Sequence, residues 1–126
     1  MLLDTCTFLW LAAEDPCVPD RVRKALEIHA EPVYLSVVSM WEIAAKFSRG
    51  QLELASPPSR WTPEARERCH VETLPLTEST VAVVETLPWH HRDPFDRMLV
   101  ATAIAHGLRL VSPDAAFARY TVRTFW

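Results

Sequence analysis

Residues 93–112 of the chain, DPFDRMLVATAIAHGLRLVS, contain a helix signal followed directly by a strand signal. Asp93 and Pro94 are typical of a helix start, apolar residues follow at helical spacing, and Gly107 is typical of a helix end. The next residues, LRLVS, predict a short strand. This stretch therefore predicts one helix–strand unit of an α/β fold.

The rest of the chain continues this alternation of strands and helices. The stretches that predict strands are MLLD, PVYLS, VETLPL and TVRTFW. The stretches that predict helices or helical turns are TCTFLWLAA, VPDRVRKALEIHA, TESTVAVVETL and PDAAFARY. SMWEIAAKFSRG predicts a helix with Ser39 as N-cap and Gly50 after its end, and TPEARERC predicts a short exposed helix with Thr62 as N-cap and Pro63 in the first position. We expect a single three-layer α/β/α domain over residues 1–126, in which helices flank a central parallel sheet.

Composition limits the class of protein. The chain has 126 residues, of which 49% are hydrophobic and 23% charged, and no apolar run approaches the roughly 18 residues of a membrane span. MLLDTCTFLW lacks the basic region of a secretory signal, so we expect a cytoplasmic protein without a membrane association. Three cysteines without a C-x-x-C pair and five histidines without zinc spacing predict neither disulfides nor a zinc site. A net charge of -3 is not that of a typical nucleic-acid binder, so such a role must depend on local features.

Acidic residues follow the predicted strands and begin the next helices. Asp4 ends the first strand, Glu42 opens the helix after PVYLS, Asp93 and Asp96 open the helix quoted above, and Asp114 follows LRLVS. In an open α/β sheet, the carboxyl ends of parallel strands and the N-termini of the following helices share one edge, where ligands bind. These acids are therefore expected to converge at that edge.

Capping is an alternative role for most of these acids. Asp4 and Asp114 are each placed to begin a helix, and Glu42 stands three residues after Ser39, as in a capping box. Asp93, directly before a proline, is best interpreted as an N-cap. Asp96 is the acid that capping does not explain.

Asp96 shares a helix face with Leu99, Val100 and Ala103, which is the face expected to pack against the sheet. The helix dipole stabilises an acid there by ~0.3–1 kcal/mol, whereas two carboxylates ~5 Å apart repel by roughly 3 kcal/mol at an effective dielectric constant of ~20. A cation or shared protons must therefore offset the repulsion. Carboxylates without histidine or cysteine suit a hard ion, and we predict Mg²⁺ or Mn²⁺.

Four segments of the chain resemble the PIN domain family and, within it, the VapC-type toxins of type II toxin–antitoxin pairs. LLDTCTFLW resembles the opening strand and first acid, SVVSMWEIAAK the second-acid helix, HHRDPFDRMLVATAIAHG the third-acid helix, and LRLVSPDAAFARY the last-acid turn. The resemblance implies an endoribonuclease that hydrolyses RNA phosphodiester bonds with Mg²⁺ or Mn²⁺. It also implies a small antitoxin as partner, and a homodimer.

The same resemblance implies roles for individual residues. The catalytic, metal-binding acids that it implies are Asp4, Glu42, Asp96 and Asp114. The residues that it implies as supports for these acids are Thr5, Asp93, Arg97 and Ser112. Candidate RNA phosphate contacts, which are alternatively solvated charges on helix faces, are Lys46, Arg49, Arg92 and Arg97. A proline at position 113 is uncharacteristic of the family. The resemblance therefore leaves two roles for Asp114, which are to bind the metal directly or to bind it through a water molecule.

Other functions stay open beside this one. The chain is alternatively a catalytically silent PIN-like module that binds RNA or protein, or a PIN-like nuclease that acts on DNA. Phosphate-binding glycine loops are excluded because Gly50 and Gly107 are the only glycines. The aromatic residues predicted to line partner surfaces, or alternatively to pack in the core, are Trp41, Phe47, Trp61 and Trp89.

Overall fold

A parallel β-sheet with helices on both faces forms the architecture of the computed structural model, which describes residues 1–28 and 31–126. The strands in these residues are β1 (Leu2–Leu3), β2 (Tyr34–Ser36), β3 (Glu72–Leu74), β4 (Leu110–Val111) and β5 (Thr124–Phe125). The α-helices are α1 (Thr5–Ala12), α2 (Asp20–Glu27), α3 (Val37–Ser48), α4 (Pro58–Arg68), α5 (Glu78–Thr86) and α6 (Pro94–Ala105). A 3-10 turn, Ala115–Arg119, joins β4 to β5.

The strand order is β3-β2-β1-β4-β5, and every neighbouring pair is parallel. Leu3 in the central strand pairs with Leu35 on one side and with Val111 on the other. The chain runs outward from β1 to β2 and β3 and later returns to the opposite side with β4. This reversal creates a crevice at the carboxyl end of β1, which is where ligands bind in such sheets. The predicted parallel α/β fold is confirmed.

Two apolar cores cover the two faces of the sheet. Leu3 and Leu35 belong to one core, together with Phe8 of α1. Leu2 and Leu110 belong to the other core, with residues of α6. Because successive strand residues point to opposite faces, even these two- and three-residue strands anchor helices on both sides. The predicted three-layer arrangement is therefore confirmed.

The predicted start of α3 was wrong. The helix begins after Ser36, whose hydroxyl accepts a hydrogen bond from the Val38 backbone N–H at 3.1 Å, rather than at Ser39. Ser39 is buried inside the helix, and its hydroxyl has no hydrogen-bond partner within the described residues. The capping-box role of Glu42 is therefore wrong too, because Glu42 lies in the second turn.

The predicted start of α4 was also wrong. The helix begins at Pro58, and Pro63 lies inside it rather than in its first position. Pro63 lacks a backbone N–H and so removes one helical hydrogen bond. Packing of this segment offsets that loss, because Trp61 meets Phe8 edge to face with ring centroids 5.9 Å apart and Ala65 is fully buried. The helix is therefore half-buried and longer than the short exposed helix that we predicted.

Glycines end α3 and α6 as predicted. Gly50 and Gly107 have φ values of +68° and +63°, a backbone conformation that residues other than glycine rarely adopt. Helix α2 ends at Glu27, and the predicted continuation through His29 and Ala30 lies outside the described residues. Among the helices that the structure describes, none has the length and apolar character to cross a membrane.

Candidate active site

Four acids lie at the carboxyl edge of the sheet because the strand ends and helix starts place them there. Asp4 follows β1 and caps α1, Glu42 lies in α3, Asp96 is the third residue of α6, and Asp114 caps the 3-10 turn after β4. Their charges act on one another, since Glu42 contributes to raising the pKa of Asp4, and both Glu42 and Asp114 contribute to raising the pKa of Asp96. Glu42 therefore acts electrostatically on both Asp4 and Asp96, and the convergence of all four acids at one metal site stays a prediction.

Asp4 is both a helix cap and part of the acidic cluster. Its Oδ1 accepts a hydrogen bond from the Thr7 backbone N–H at 2.6 Å, and its Oδ2 accepts one from the Ser112 hydroxyl. Burial raises the pKa of Asp4 above its usual value, the hydrogen bonds from Ser112 and Thr7 oppose that rise, and the charge of Glu42 adds to it. Ser112 thus holds the first acid from the far end of the chain.

Glu42 is buried and is held by one residue on each oxygen. The Thr5 hydroxyl donates to Oε2 at 2.5 Å, and the Lys46 ammonium lies 2.5 Å from Oε1. The hydrogen bond to Glu42 raises the pKa of Lys46 and keeps the ammonium charged. Lys46, predicted to contact RNA phosphates, therefore supplies positive charge to the acidic cluster itself.

Asp96 accepts no hydrogen bond from any residue that the structure describes. Burial raises its pKa to about 6, the charge of Asp93 adds to this rise, His91 opposes it, and Glu42 and Asp114 make smaller additions. The helix face that it shares with Leu99 and Val100 is buried, as expected. Of the four acids, Asp96 is thus the one whose carboxylate has no hydrogen-bond donor among the described residues.

Asp93 and Asp96 occupy different environments although they begin the same helix. Asp93 is exposed, and its Oδ1 accepts a hydrogen bond from the Phe95 backbone N–H at 2.8 Å. The predicted N-cap role of Asp93 is confirmed. The surplus acid in this helix start is therefore Asp96.

His91 is a site residue that sequence reasoning missed. Its Nε2 lies 3.0 Å from Asp114 Oδ2, and its Nδ1 lies 3.3 Å from the Tyr120 hydroxyl, with the two rings stacked. The other oxygen of Asp114 accepts from the Ala116 backbone N–H at 2.8 Å. This backbone bond and then His91 lower the pKa of Asp114. Asp114 is therefore held as a charged cap, and no local spacing pattern links it to a histidine 23 residues away.

Arg97 does not support the acids, so its predicted roles at the site and on RNA were wrong. Its buried guanidinium donates to the carbonyl oxygens of Pro88 at 2.8 Å and of Val84 and Leu87, each at 3.2 Å. Trp89 lies over it, with 3.9 Å between the guanidinium carbon and the ring centroid. Arg97 therefore fastens the connection between α5 and α6.

The aromatic residues divide between core and surface. Trp61 packs against the core, Phe47 is half-buried, and Trp41 and Trp89 are exposed. Arg49 and Arg92 are exposed as well, and neither side chain forms an ion pair within the described residues. The two arginines remain candidates for RNA contacts.

The model of the PIN domain family matches residues 1–122 of the chain. The chain belongs to the PIN domain family. Ribonuclease VapC22 of Mycobacterium tuberculosis is 35% identical to it over 115 residues, which cover 90% of this chain and 86% of that relative.

Solved structures share the fold of this PIN domain. VapBC2 from Rickettsia felis, bound to a DNA fragment from its promoter, aligns with a TM-score of 0.76 at 15% identity and covers 99% of this chain and 97% of the matched chain. FitAcB from Neisseria gonorrhoeae aligns with a TM-score of 0.67 at 22% identity and covers 99% and 96%. Both alignments cover almost the whole of this chain.

The donor set of this PIN domain fits a hard divalent cation. Within residues 1–28 and 31–126, no three acidic, histidine or cysteine side chains are already grouped as metal ligands. Each carboxylate nevertheless offers about four lone-pair positions, so the hydrogen bonds to Asp4 and Glu42 leave acceptor capacity. Oxygen donors with several negative charges are what Mg²⁺ and Mn²⁺ prefer.

Proposed function

We propose that this chain is a divalent-metal-dependent endoribonuclease that acts as the toxin of a VapBC-type toxin–antitoxin pair. The observation that supports the proposal is that Asp4, Glu42 and Asp96 act on one another through Glu42: burial raises the pKa of both aspartates, and the charge of Glu42 adds to each rise. The 35% identity to Ribonuclease VapC22 over 90% of the chain supports RNA as the substrate class.

Asp4, Glu42 and Asp96 would hold the metal ion, with Asp114 at the edge of the site. When bound, a divalent ion supplies a water of lowered pKa and stabilises charge on the leaving oxygen of the phosphodiester. Thr5 and Lys46 orient Glu42, and Ser112 orients Asp4. Hydrogen bonds and an ion pair within the chain therefore hold the carboxylates of Asp4 and Glu42 in defined orientations.

A covalent protein nucleophile is not part of this proposal. Cys6 follows Asp4 by two positions in sequence, but desolvation of its thiol and then the charge of Asp4 raise its pKa. A thiol with a raised pKa is protonated at neutral pH and is a weak nucleophile. The attacking group is therefore water.

Positive charge for the RNA backbone comes from the rim of the site. Lys46 and Arg49 lie in and at the end of α3, and Arg92 directly precedes the start of α6. Exposed lysine and arginine side chains bind phosphates without reading sequence. These three residues would hold the strand across the acids.

A cleavage assay tests the metal and the substrate class together. Single-stranded RNA and DNA of the same sequence are incubated with the protein in Mg²⁺, in Mn²⁺ and in excess EDTA. We expect RNA to be cut in either metal and left intact in EDTA, because the paired carboxylates need a cation before an anionic substrate approaches. The matched control is Asp4→Asn, which keeps an N-cap oxygen for α1 and is expected to fold but not cleave.

Three results contradict this proposal. Full cleavage in EDTA rules out the metal. Cleavage of DNA at the same rate as RNA supports the alternative of a DNA-directed nuclease. Binding of RNA without any cleavage in either metal supports the alternative of a catalytically silent PIN-like module.

The proposal extends to protein partners. The chain would form a homodimer and bind a small antitoxin, whose arginine side chain would enter the acidic pocket and pair with the carboxylates. A toxin–antitoxin complex from Klebsiella pneumoniae shares the fold with a TM-score of 0.61, which supports such a partner. Light scattering at micromolar concentration is expected to give the mass of a dimer alone and a larger complex with the product of the neighbouring gene. A monomer under both conditions contradicts this part of the proposal.

A further inference from the structure

Trp41 and Phe95 form an aromatic pair across the contact between α3 and α6. Trp41 is 63% exposed, and its ring meets that of half-buried Phe95 edge-on, with centroids 4.7 Å apart and planes inclined by 68°. Trp41 directly precedes Glu42, and Phe95 directly precedes Asp96. The pair is therefore carried by the same two helix segments as two of the candidate catalytic acids.

Packing of α3 against α6 explains this juxtaposition. The two helices are in contact, and the charge of Glu42 contributes to raising the pKa of Asp96. The Lys46 ammonium lies 2.5 Å from Glu42 Oε1, and the charge of Asp93 at the start of α6 contributes to raising its pKa. The aromatic pair therefore lies on the same two helices as Lys46 and these acids.

Other tryptophans have partners that account for them. Trp61 packs on Phe8 in the core, Trp10 and Trp126 contact each other, and Trp89 covers the guanidinium of Arg97. Trp41 instead has the edge-on ring of Phe95 as its aromatic neighbour, an arrangement that fixes the indole while leaving most of its surface exposed. Such an oriented, exposed ring is suited to stacking on a flat ligand.

We propose that Trp41, oriented by Phe95, stacks on an unpaired nucleobase of the RNA next to the phosphate that is cleaved. This inference rests on the proposed ribonuclease function and identifies which part of an RNA the site accepts. Every nucleobase has a π-face, so stacking gives affinity without strict sequence preference. Bases within a duplex already stack on their neighbours, so the platform selects single-stranded RNA. Lys46 and Arg49 on the same helix complement the flanking phosphates.

RNA binding without cleavage tests the proposal independently of the nuclease activity. The probe is a single-stranded RNA oligonucleotide that carries 2-aminopurine, and binding is measured in Mg²⁺ in the Asp4→Asn background, which is expected not to cleave, by fluorescence anisotropy and by quenching of the modified base. We expect Trp41→Ala to weaken binding about tenfold and to abolish the quenching, because one stacked base is lost. Trp41→Phe retains a π-face and is expected to bind within about threefold of the wild type.

Matched variants separate stacking from general apolar contact. Trp89→Ala removes another exposed tryptophan, 79% exposed, and is expected to leave RNA binding and quenching unchanged. Trp41→Leu keeps apolar bulk without a π-face and is expected to behave like Trp41→Ala. Binding of a duplex RNA of the same sequence is expected to be insensitive to all four variants. Thermal melts verify that each variant is folded.

Three outcomes would overturn the inference. The first is wild-type RNA affinity in Trp41→Ala, and the second is equal binding by Trp41→Leu and Trp41→Phe. The third is a change from dimer to monomer in Trp41→Ala by light scattering, with quenching of the modified base retained, which would assign this surface to a second copy of the chain. If RNA binding follows the expected order but the wild-type protein does not cleave RNA in Mg²⁺, the role of Trp41 in stacking is supported and the proposed nuclease function is wrong.

Discussion

Asp96→Asn is expected to lower the RNA cleavage rate by at least about a hundredfold and, without metal, to make the protein more stable at pH 7. The loss of activity follows because an amide is a neutral and weaker ligand for a hard cation than a carboxylate. The gain in stability follows because Asp96 is a partly buried charge without a hydrogen-bond donor in the described structure, which raises its pKa to about 6. The same replacement therefore moves activity and stability in opposite directions.

The stability gain depends on pH in a defined direction. An unfolded aspartate has a pKa of about 3.9, whereas folded Asp96 has a pKa of about 6, so between these values the folded protein holds a proton that the unfolded chain has released. Metal-free wild-type protein therefore loses stability as the pH rises through about 4 to 6. After allowance for solvent screening, the loss is on the order of 1–2 kcal/mol. Asp96→Asn removes this loss, and its advantage is expected to disappear at about pH 4.

Variants of Asp93 provide the matched comparison within the same helix start. Asp93→Ala removes the cap on Phe95 and is expected to cost about 1 kcal/mol of stability, with a moderate fall in activity. Asp93→Asn keeps a capping oxygen and is expected to remain close to the wild type in both properties. Thermal melts without metal across pH 4–8 and cleavage rates with saturating metal measure these effects. An inactive Asp93→Ala of unchanged stability, together with an active Asp96→Asn, would reverse the two assignments.

Arg97→Ala is expected to destabilise the fold by about 3 kcal/mol, the largest stability effect among the variants considered. The replacement leaves the carbonyl oxygens of Val84, Leu87 and Pro88 without their donor and removes the cation beneath Trp89. An unsatisfied buried polar group costs about 1–3 kcal/mol, and part of that cost is recovered when water enters. The free energy of unfolding from urea titration measures the effect.

Arg92→Ala is the control for Arg97→Ala. Arg92 is exposed and has no ion-pair partner among the described residues, so its loss is expected to change stability by less than about 0.5 kcal/mol. Its effect should instead appear as weaker RNA binding that diminishes at high salt. If Arg97→Ala unfolds at the same urea concentration as the wild type, Arg97 is not the fastener of the α5–α6 connection.

Local signals predicted the fold well because each strand and helix carries its own pattern. Asp93, Pro94 and Gly107 delimit α6 within the sequence itself, and capping and left-handed turns depend on adjacent residues. The alternation of elements then requires parallel strands, and parallel strands place the acids on one edge. The position of the site followed from this topology.

The errors arose where tertiary packing outweighs local preference. Ser39 was predicted as the N-cap of α3, but Ser36 caps this helix, and Val37, Val38 and Ser39 belong to it. Pro63 lies inside α4 because packing of Trp61 and Ala65 against the core stabilises an earlier helix start. The contact between Trp61 and Phe8 has no signature in the residues next to Pro63.

Contacts between side chains that lie far apart in sequence also could not be predicted from local sequence patterns. The bond between His91 and Asp114 forms only when the segment before α6 meets the turn after β4. The resemblance implied that Arg97 supports the acids, but Arg97 follows Asp96 directly, and the adjacent position on a helix points about 100° away. Asp96 and Arg97 are adjacent in sequence but point in different directions from α6, so they have different partners.

The hydrogen bond from Ser112 to Asp4 joins residues 108 positions apart, and β1, which delivers Asp4, lies between β2 and β4. The ribosome synthesises β1 and Asp4 well before β4 and Ser112, because 108 residues separate the two ends of this bond. A nascent chain that stops before β4 therefore carries three of the four acids without the strand and the hydroxyl that hold the first one in place. The order of synthesis delays assembly of the acidic pocket until β4 and Ser112 have left the exit tunnel.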